Sequence, residues 1–264
     1  MKTKPILITL ILGVAAIISF IYLSKSNESS LEPNKVVPVS IGNTIVNINI
    51  YGKQPPRIVF FNMHDNENTA VEAGKEIIQN YGGYLVELAG TGERLISFSL
   101  DDQKYTFDPN RIYTENGVKK TLERYSQYSE AAHREIRRFV DTLFQYLFID
   151  DMKIMVALHN NTEERYSLES YMPGGSYETD ASRYYKNPDS DIDDFYFITD
   201  STFFEFFKSH NQNVALQNNE HVTDDGSLSV YCAEQNIAYI NVEAQHGHLQ
   251  EQVKMIGIVR EYFE

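Results

Sequence analysis

Arg57-Ile-Val-Phe-Phe-Asn62 runs into Met63-His64-Asp65-Asn66-Glu67 and then into a segment ending at Tyr81, with apolar residues at Ala70, Ala73, Ile77 and Ile78. This stretch decides the fold. A short unbroken apolar run after Pro55-Pro56 is how a strand buried on both faces reads. Apolar residues three and four apart are how a helix reads, and Gly82-Gly83 stops it. The same alternation continues outward. Tyr84 to Leu88 reads as a strand. Leu95 to Leu100 and Lys104 to Phe107 read as a hairpin around Asp101-Asp102. Lys119 to Phe148 reads as one long helix, and Lys153 to Leu158 as a strand. Asn160 to Asp194 reads as a long polar loop. Strands Phe195 to Ile198, Val214 to Leu216 and Ala238 to Val242 follow, interleaved with helices Ser201 to Ser209, Ser227 to Gln235 and Leu249 to Tyr262. Upstream, Val36 to Ile41 and Thr44 to Tyr51 flank Gly42-Asn43 as a hairpin. Strands alternating with helices predict a single α/β domain over residues 36–264, with a mixed, mostly parallel twisted sheet flanked by helices.

The chain has 264 residues, 37 Asp and Glu against 23 Lys and Arg, and a net charge of −14. A hydrophobic content of 42% supports a packed core and excludes general disorder. The acidic balance argues against nucleic acid as the partner, because phosphate binding needs clustered basic residues. The single cysteine, Cys232, excludes an internal disulfide framework and any multi-cysteine metal site. The first 25 residues are different material. Lys2 and Lys4 precede an apolar run from Pro5 to Leu23 that is long enough to span a bilayer as a helix. It lacks a small-x-small cleavage site, so it reads as an uncleaved signal anchor over 1–25, followed by a polar linker over 26–35. The leading lysines place the N-terminus in the cytoplasm and the rest of the chain outside it. A cleaved segment would leave a secreted protein instead. Setting this basic segment aside leaves 20 basic against 37 acidic residues, a net of −17.

Ligands of open α/β sheets sit at the carboxyl ends of the strands. Polar residues cluster at those ends: His64, Asp65, Asn66 and Glu67; Asp108-Pro109-Asn110-Arg111; His159, Asn160 and Asn161; and Glu243. His64 and Glu67 form H-x-x-E at a strand-to-helix turn, which can point both side chains at one place. His159 from a neighbouring strand supplies a third ligand. Two histidines and a carboxylate make a catalytic zinc site with a fourth position open. A separate carboxylate must then move protons between water and the leaving amine, and Glu243 stands where that group is needed. Each of these residues taken alone is a weak signal.

In chain order they are more specific. His64-x-x-Glu67, then Asn110-Arg111 within Asp-Pro-Asn-Arg, then His159-Asn160, then Glu243, resembles the zinc carboxypeptidase family and its compact branch of aspartoacylase and succinylglutamate desuccinylase. The resemblance spans roughly residues 57–245. It implies that His64, Glu67 and His159 bind Zn2+, that Glu243 is the general base and acid, and that Asn110 and Arg111 hold a substrate carboxylate. A planar guanidinium suits that last task because it binds a carboxylate bidentately. The family carries another arginine shortly before Asn-Arg to polarise the scissile carbonyl. Here Gln103 and Lys104 are nearby, and the nearest upstream arginine is Arg94. A tyrosine that helps the leaving group has five candidates in the long loop: Tyr166, Tyr171, Tyr177, Tyr184 and Tyr185.

His246-Gly247-His248 is a competing metal motif, though Gly247 breaks the geometry of a strand pair. His133, His210 and His221 read as exposed, and Cys232 as core. There is no G-x-S-x-G, P-loop or dinucleotide-binding glycine pattern. The expectation is a membrane-anchored, zinc-dependent hydrolase, cleaving an amide bond beside a carboxylate outside the cytoplasm. Its partner would be a peptide. An N-acyl amino acid substrate is the nearest alternative, and a non-catalytic binding module with a relic zinc site the more distant one.

Overall fold

The apolar run at the centre of the chain becomes the centre of a sheet. A computed structural model of the protein describes residues 31–53, 56–148, 152–162 and 165–263. The signal-anchor segment expected over 1–25 and most of its linker lie outside the described residues, and among the described residues no helix is long and apolar enough to cross a membrane. All features below belong to the unit Pro33–Glu264.

Nine strands form one sheet: β1 (Lys35–Ile41), β2 (Thr44–Gly52), β3 (Ile58–Asn62), β4 (Tyr84–Ala89), β7 (Ile154–Asn161), β8 (Ala181–Tyr185), β9 (Phe195–Ile198), β10 (Val214–Gln217) and β11 (Ala238–Gln245). Their spatial order is β1-β2-β4-β3-β7-β11-β9-β10-β8. The expected predominance of parallel pairing is corrected here. The pairs β4–β3, β3–β7, β7–β11 and β9–β10 are parallel, whereas β1–β2, β2–β4, β11–β9 and β10–β8 are antiparallel. Four mutually parallel strands form the centre, with the hairpin β1–β2 on one side and β9, β10 and β8 on the other. Strands β5 (Ile96–Leu100) and β6 (Gln103–Phe107) form the separate hairpin expected from sequence.

Helices cover both faces. On one face lie α1 (Asn68–Tyr81) and α6 (Leu249–Glu261), which pack side by side. Gly74 allows α1 to approach closely; a Cβ there would sit 3.0 Å from Leu158 and 3.1 Å from Leu85. Helix α4 (Thr202–Ser209) packs on the same side through Phe207, stacked on Tyr196, whose hydroxyl donates to the Met255 carbonyl of α6. The other face carries α2 (Glu115–Tyr125), α3 (Glu130–Leu147) and α5 (Leu228–Glu234). Val118, Leu122, Ile136, Phe139, Leu228 and Cys232 join Met155, Ala157 and Tyr239 there in one core.

Three sequence expectations need revision. The long helix is two helices. Ser129 accepts the Ala132 amide and caps α3, while Ser126 donates to Leu122 O and accepts from Thr106 N, so hydroxyls outcompete the helix at Ser126–Ser129. Strand β7 runs past Leu158 to Asn161, because β11 continues beside it as far as Gln245. The polar segment after it is not simply a loop: it contains short 3-10 turns at Leu168–Tyr171 and Glu178–Asp180 and supplies edge strand β8.

Candidate metal centre and cleft

Side chains alternate across a strand, so β7 sends Met155, Ala157 and His159 to one face and Leu158 and Asn160 to the other. Each set has a task. Asn160 accepts the Ala70 amide through its Oδ1 and donates through its Nδ2 to Gln252, which pins the start of α1 against β7 and α6. That start is where Glu67 sits. The Glu67 amide donates to the His64 carbonyl, closing the turn that brings the two side chains together. On the other face, His159 lies directly opposite Glu243 of β11.

These placements gather His64, Glu67 and His159, whose ligand atoms all lie within 4.8 Å of one another. His64 Nδ1 is 2.8 Å from Glu67 Oε1, and His159 Nδ1 is 2.9 Å from Glu67 Oε2. All three residues are buried. His64 Nε2 is 2.9 Å from Asp108 Oδ1. An acidic acceptor there fixes the tautomer with its proton on Nε2 and leaves the Nδ1 lone pair facing Glu67. Although close to Glu67, that Nδ1 makes no hydrogen bond, and neither does His159 Nε2. The His159 nitrogen that meets Glu67 is its Nδ1, and two buried imidazole nitrogens gathered on one carboxylate are a donor set that a zinc ion takes. The residues fit the metal.

The charges support ionised carboxylates here. Burial opposes ionisation of Glu67, yet the two histidines together outweigh it and hold the group well below the usual carboxylate range. Burial likewise opposes ionisation of Asp108, and its bond to His64 leads the effects that lower it. Glu243 differs. Burial, with the Glu67 charge added, pushes it up to about 8 against the hydrogen bond from Asn241 Nδ2, 3.1 Å away, and the charges of Arg94 and His64. A carboxyl raised toward neutral pH beside one held ionised is the pairing expected of a proton shuttle next to a charge stabiliser.

Sequence reasoning missed how Arg94 arrives. Asp65 accepts from the Thr91 and Gly92 amides and from the Thr91 hydroxyl. This ties the loop after β4 to the turn after β3, and Arg94 Nη1 reaches Glu67 Oε1 at 2.5 Å. Arg94 lines the cleft and Lys104 does not; Lys104 is exposed on β6. A cation is therefore present beside the expected site, although it comes from a different place than the Asp-Pro-Asn-Arg segment.

The cleft itself has a volume of about 520 Å³ and is lined by Glu67, His159 and Glu243 together with Asn110 and Arg111. Asn110 Oδ1 accepts the Leu228 amide, so its Nδ2 is the group left for a ligand. Arg111 Nη1 donates to Asn110 O at 2.6 Å, and its Nε is 3.2 Å from Asp225 Oδ2. The Asp224–Leu228 segment thus orients both residues. Gly226 makes this possible. It has φ +81°, and a Cβ there would meet the Gly117 Cα at 2.4 Å. Asp224 completes the junction by bonding Thr114, Asn116 and Lys120.

Of the five loop tyrosines, Tyr166, Tyr171 and Tyr177 line the cleft, with the Tyr166 and Tyr171 hydroxyls bonded to each other. Tyr184 and Tyr185 lie on edge strand β8 instead. His246 and His248 do not form a metal pair: His246 is exposed, and His248 Nδ1 is 3.3 Å from Asp194. His133 is half-buried against Glu115 and His210 half-buried near Glu261, a correction to their expected exposure, while His221 is exposed. Cys232 is core, with burial pushing its thiol up.

No protein-family model and no curated protein matches the chain. Solved structures similar to it include a Shewanella amazonensis protein assigned to the succinylglutamate desuccinylase/aspartoacylase family, 10% identical over 86% of this chain and 71% of that one, with TM-score 0.39. An aspartoacylase family protein from Mesorhizobium loti is 12% identical over 84% of this chain and 66% of that one, with TM-score 0.40. Bovine thrombin-activatable fibrinolysis inhibitor, solved with a tick carboxypeptidase inhibitor, is 10% identical over 93% of each chain, with TM-score 0.41. At such identities and scores, the likenesses assign neither family nor function to this chain.

Proposed function

We propose that this protein is a zinc-dependent hydrolase that cleaves an amide bond next to a substrate carboxylate, with a peptide as substrate. The observation that carries the reading is the convergence of His64 Nδ1 and His159 Nδ1 on the Glu67 carboxylate, all buried, beside a buried Glu243 raised toward neutral pH. His64, Glu67 and His159 would hold the ion. When bound, zinc polarises a carbonyl oxygen and acidifies a water molecule. Glu243 takes a proton from the attacking water and delivers it to the departing amine, since an amide nitrogen leaves only once protonated. Arg111 and Asn110 bind the substrate carboxylate and so fix which bond reaches Glu243. Arg94 offers a guanidinium beside Glu67, in reach of charge developing on the carbonyl oxygen. That cation speaks against the alternative of a non-catalytic binding module with a relic zinc site.

A peptide is preferred to an N-acyl amino acid because the apolar run after Lys2 and Lys4 supports an extracytoplasmic, membrane-anchored chain. Protease accessibility in intact cells tests the placement, and protection of the domain would refute it. The enzymatic test is zinc content and peptide hydrolysis before and after Glu243→Gln. The expected result is retained zinc with hydrolysis lowered about 10²- to 10⁴-fold. Unchanged hydrolysis would sink the mechanism. Acylated amino acids cleaved in preference to free peptides would move the assignment to the deacylase.

A further inference from the structure

Helix α6 buries a stripe made of Gln252, Met255, Ile256 and Val259. Three of these are apolar, as the core-facing side of a helix should be. Gln252 is not, and it is fully buried. A polar side chain in that position needs partners for both ends of its amide, and a hydrocarbon would serve packing alone better.

Both ends find partners on β7, beside the metal end of the cleft. Gln252 Nε2 donates to the His159 carbonyl at 2.9 Å, and its Oε1 accepts Asn160 Nδ2 at 2.9 Å. A third group fixes these orientations. The Ala70 amide donates to Asn160 Oδ1 at 2.8 Å, so Asn160 turns its Nδ2 to Gln252, and Gln252 turns its Nε2 to His159. Rotating either side-chain amide would set donor against donor or oxygen against oxygen. Asn160 also touches Glu67. The register of β7 with β3 ends at Ala157, and beyond it the Asn160 backbone amide donates to Glu67 Oε2 at 3.2 Å. Ahead of α6, the Gly247 amide donates to Thr69 Oγ1 at 2.9 Å, in the first turn of α1. The last helix of the chain thus reaches two of the three candidate ligands, His159 through its carbonyl and Glu67 through Asn160.

We propose that Gln252 is a positioning residue of the metal centre. It acts on the end of β7 and on Asn160, not on an ion or a substrate. Its two hydrogen bonds set where the β7 end stands relative to α1, and so where His159 Nδ1 and Glu67 Oε2 meet. A metal site accepts its ligand atoms only within about 0.2 Å of their proper distances, so a slack strand end is felt as lost affinity.

This inference rests on the metal reading of His64, Glu67 and His159, so the test uses metal binding and needs no substrate. The full chain is titrated with zinc against a chromophoric chelator as wild type, Gln252→Met and Ile256→Ala. The visible spectrum of each protein loaded with Co2+ is recorded beside it. Methionine keeps nearly the length of glutamine and lacks the amide. Ile256→Ala loosens the same helix without touching the amides, and so controls for packing. The expected result for Gln252→Met is zinc affinity lowered about tenfold or more and a shifted cobalt band. Ile256→Ala should lower the melting temperature and leave both metal readouts unchanged. Asn160→Ala combined with Gln252→Met should cost less than the product of the two single fold-losses, because the residues share one network. If Gln252→Met does not fold, Gln252→Glu keeps the shape and the acceptor for Asn160, loses the donor to His159, and carries the same expectation. Zinc affinity within about twofold of wild type, with an unchanged cobalt spectrum, overturns the positioning role and leaves the metal centre standing. An equal loss in Ile256→Ala also overturns it, because packing alone would then explain the effect. Uptake of neither ion by wild type overturns the metal reading and the positioning role together.

Discussion

The two ends of the cleft are built differently. At the metal end the three ligands are buried and each is held by a named neighbour: His64 by Asp108, Glu67 by the Asn160 amide and by Arg94, itself 48% exposed, and His159 by its place inside β7. At the substrate end Arg111 keeps 34% of its side chain exposed and Asp225 43%, and both belong to segments between strands. The contrast teaches what each end is for. A metal needs fixed ligands, whose second neighbours set tautomer and direction. A substrate carboxylate needs a partner that is oriented yet still has donors to spare. Damage to the first end should therefore remove a property outright, and damage to the second should only scale one.

The largest expected effect is loss of the ion. His64→Ala or His159→Ala leaves two of three ligands, so zinc per chain after dialysis, measured by inductively coupled plasma mass spectrometry, drops from about one to near zero. Full zinc retention in either variant would break the comparison at its stronger end. Asp108→Asn is the next step down. The amide can still accept from His64 Nε2 but no longer carries the charge that favours the Nδ1 lone pair, and zinc affinity should fall about 10- to 100-fold. A competition titration with a chromophoric chelator reads this, and unchanged affinity would show that Asp108 only packs.

Glu243 allows a test that needs no substrate. Burial first, and Glu67 second, raise its folded value to about 8. The folded, metal-free state then keeps a proton that the unfolded chain releases near pH 4.3, so the stability this group contributes is whole below that pH and drains away as pH rises toward 8. The slope is at most about 1.4 kcal/mol per pH unit, since one proton is involved. Metal-free wild type should lose more melting temperature between pH 5 and pH 8 than metal-free Glu243→Gln. Parallel melting curves would show that Glu243 is already ionised in the fold.

How much of this was legible in sequence follows the same division. The metal end was, because its residues sit next to structure with a strong local signal. The apolar run 58–62 and the spacing of Ala70, Ala73, Ile77 and Ile78 place His64 and Glu67 at a strand-to-helix turn. His159 and Glu243 were found at strand ends, although β7 and β11 extend past them because each supplies the other's hydrogen bonds. At the substrate end Asn110 and Arg111 were named from sequence and line the cleft, but what orients them was not legible. Nothing near Arg111 in the chain announces Asp225, and nothing near Arg94 announces that Asp65 will hold its loop; both are contacts between segments distant in sequence. The break at Ser126–Ser129 failed for a different reason. Serine hydroxyls that bond the backbone override a helical pattern that continues on both sides.

The smallest expected effect sharpens the comparison most. Arg111 spends Nε on Asp225 and an Nη1 hydrogen on the Asn110 carbonyl, which leaves the outer edge of the guanidinium to a substrate carboxylate. Asp225→Asn removes the anchoring charge and little else in shape. Two consequences oppose each other. The substrate loses a repelling neighbour, but Asp225 and Arg111 are both substantially exposed, so water and salt already screen that repulsion. Arg111 also loses a restraint, and immobilising such a side chain on binding costs about 0.5–1.5 kcal/mol. The restraint outweighs the screened repulsion, so KM for a carboxylate-terminated peptide should rise about two- to tenfold. The carboxylate is held alike before and during bond cleavage, and so kcat should stay within about twofold. A fall in KM would mean that Asp225 competes for Arg111 rather than aiming it. A loss in kcat of the size expected for Glu243→Gln would mean that the two ends of the cleft are not separable.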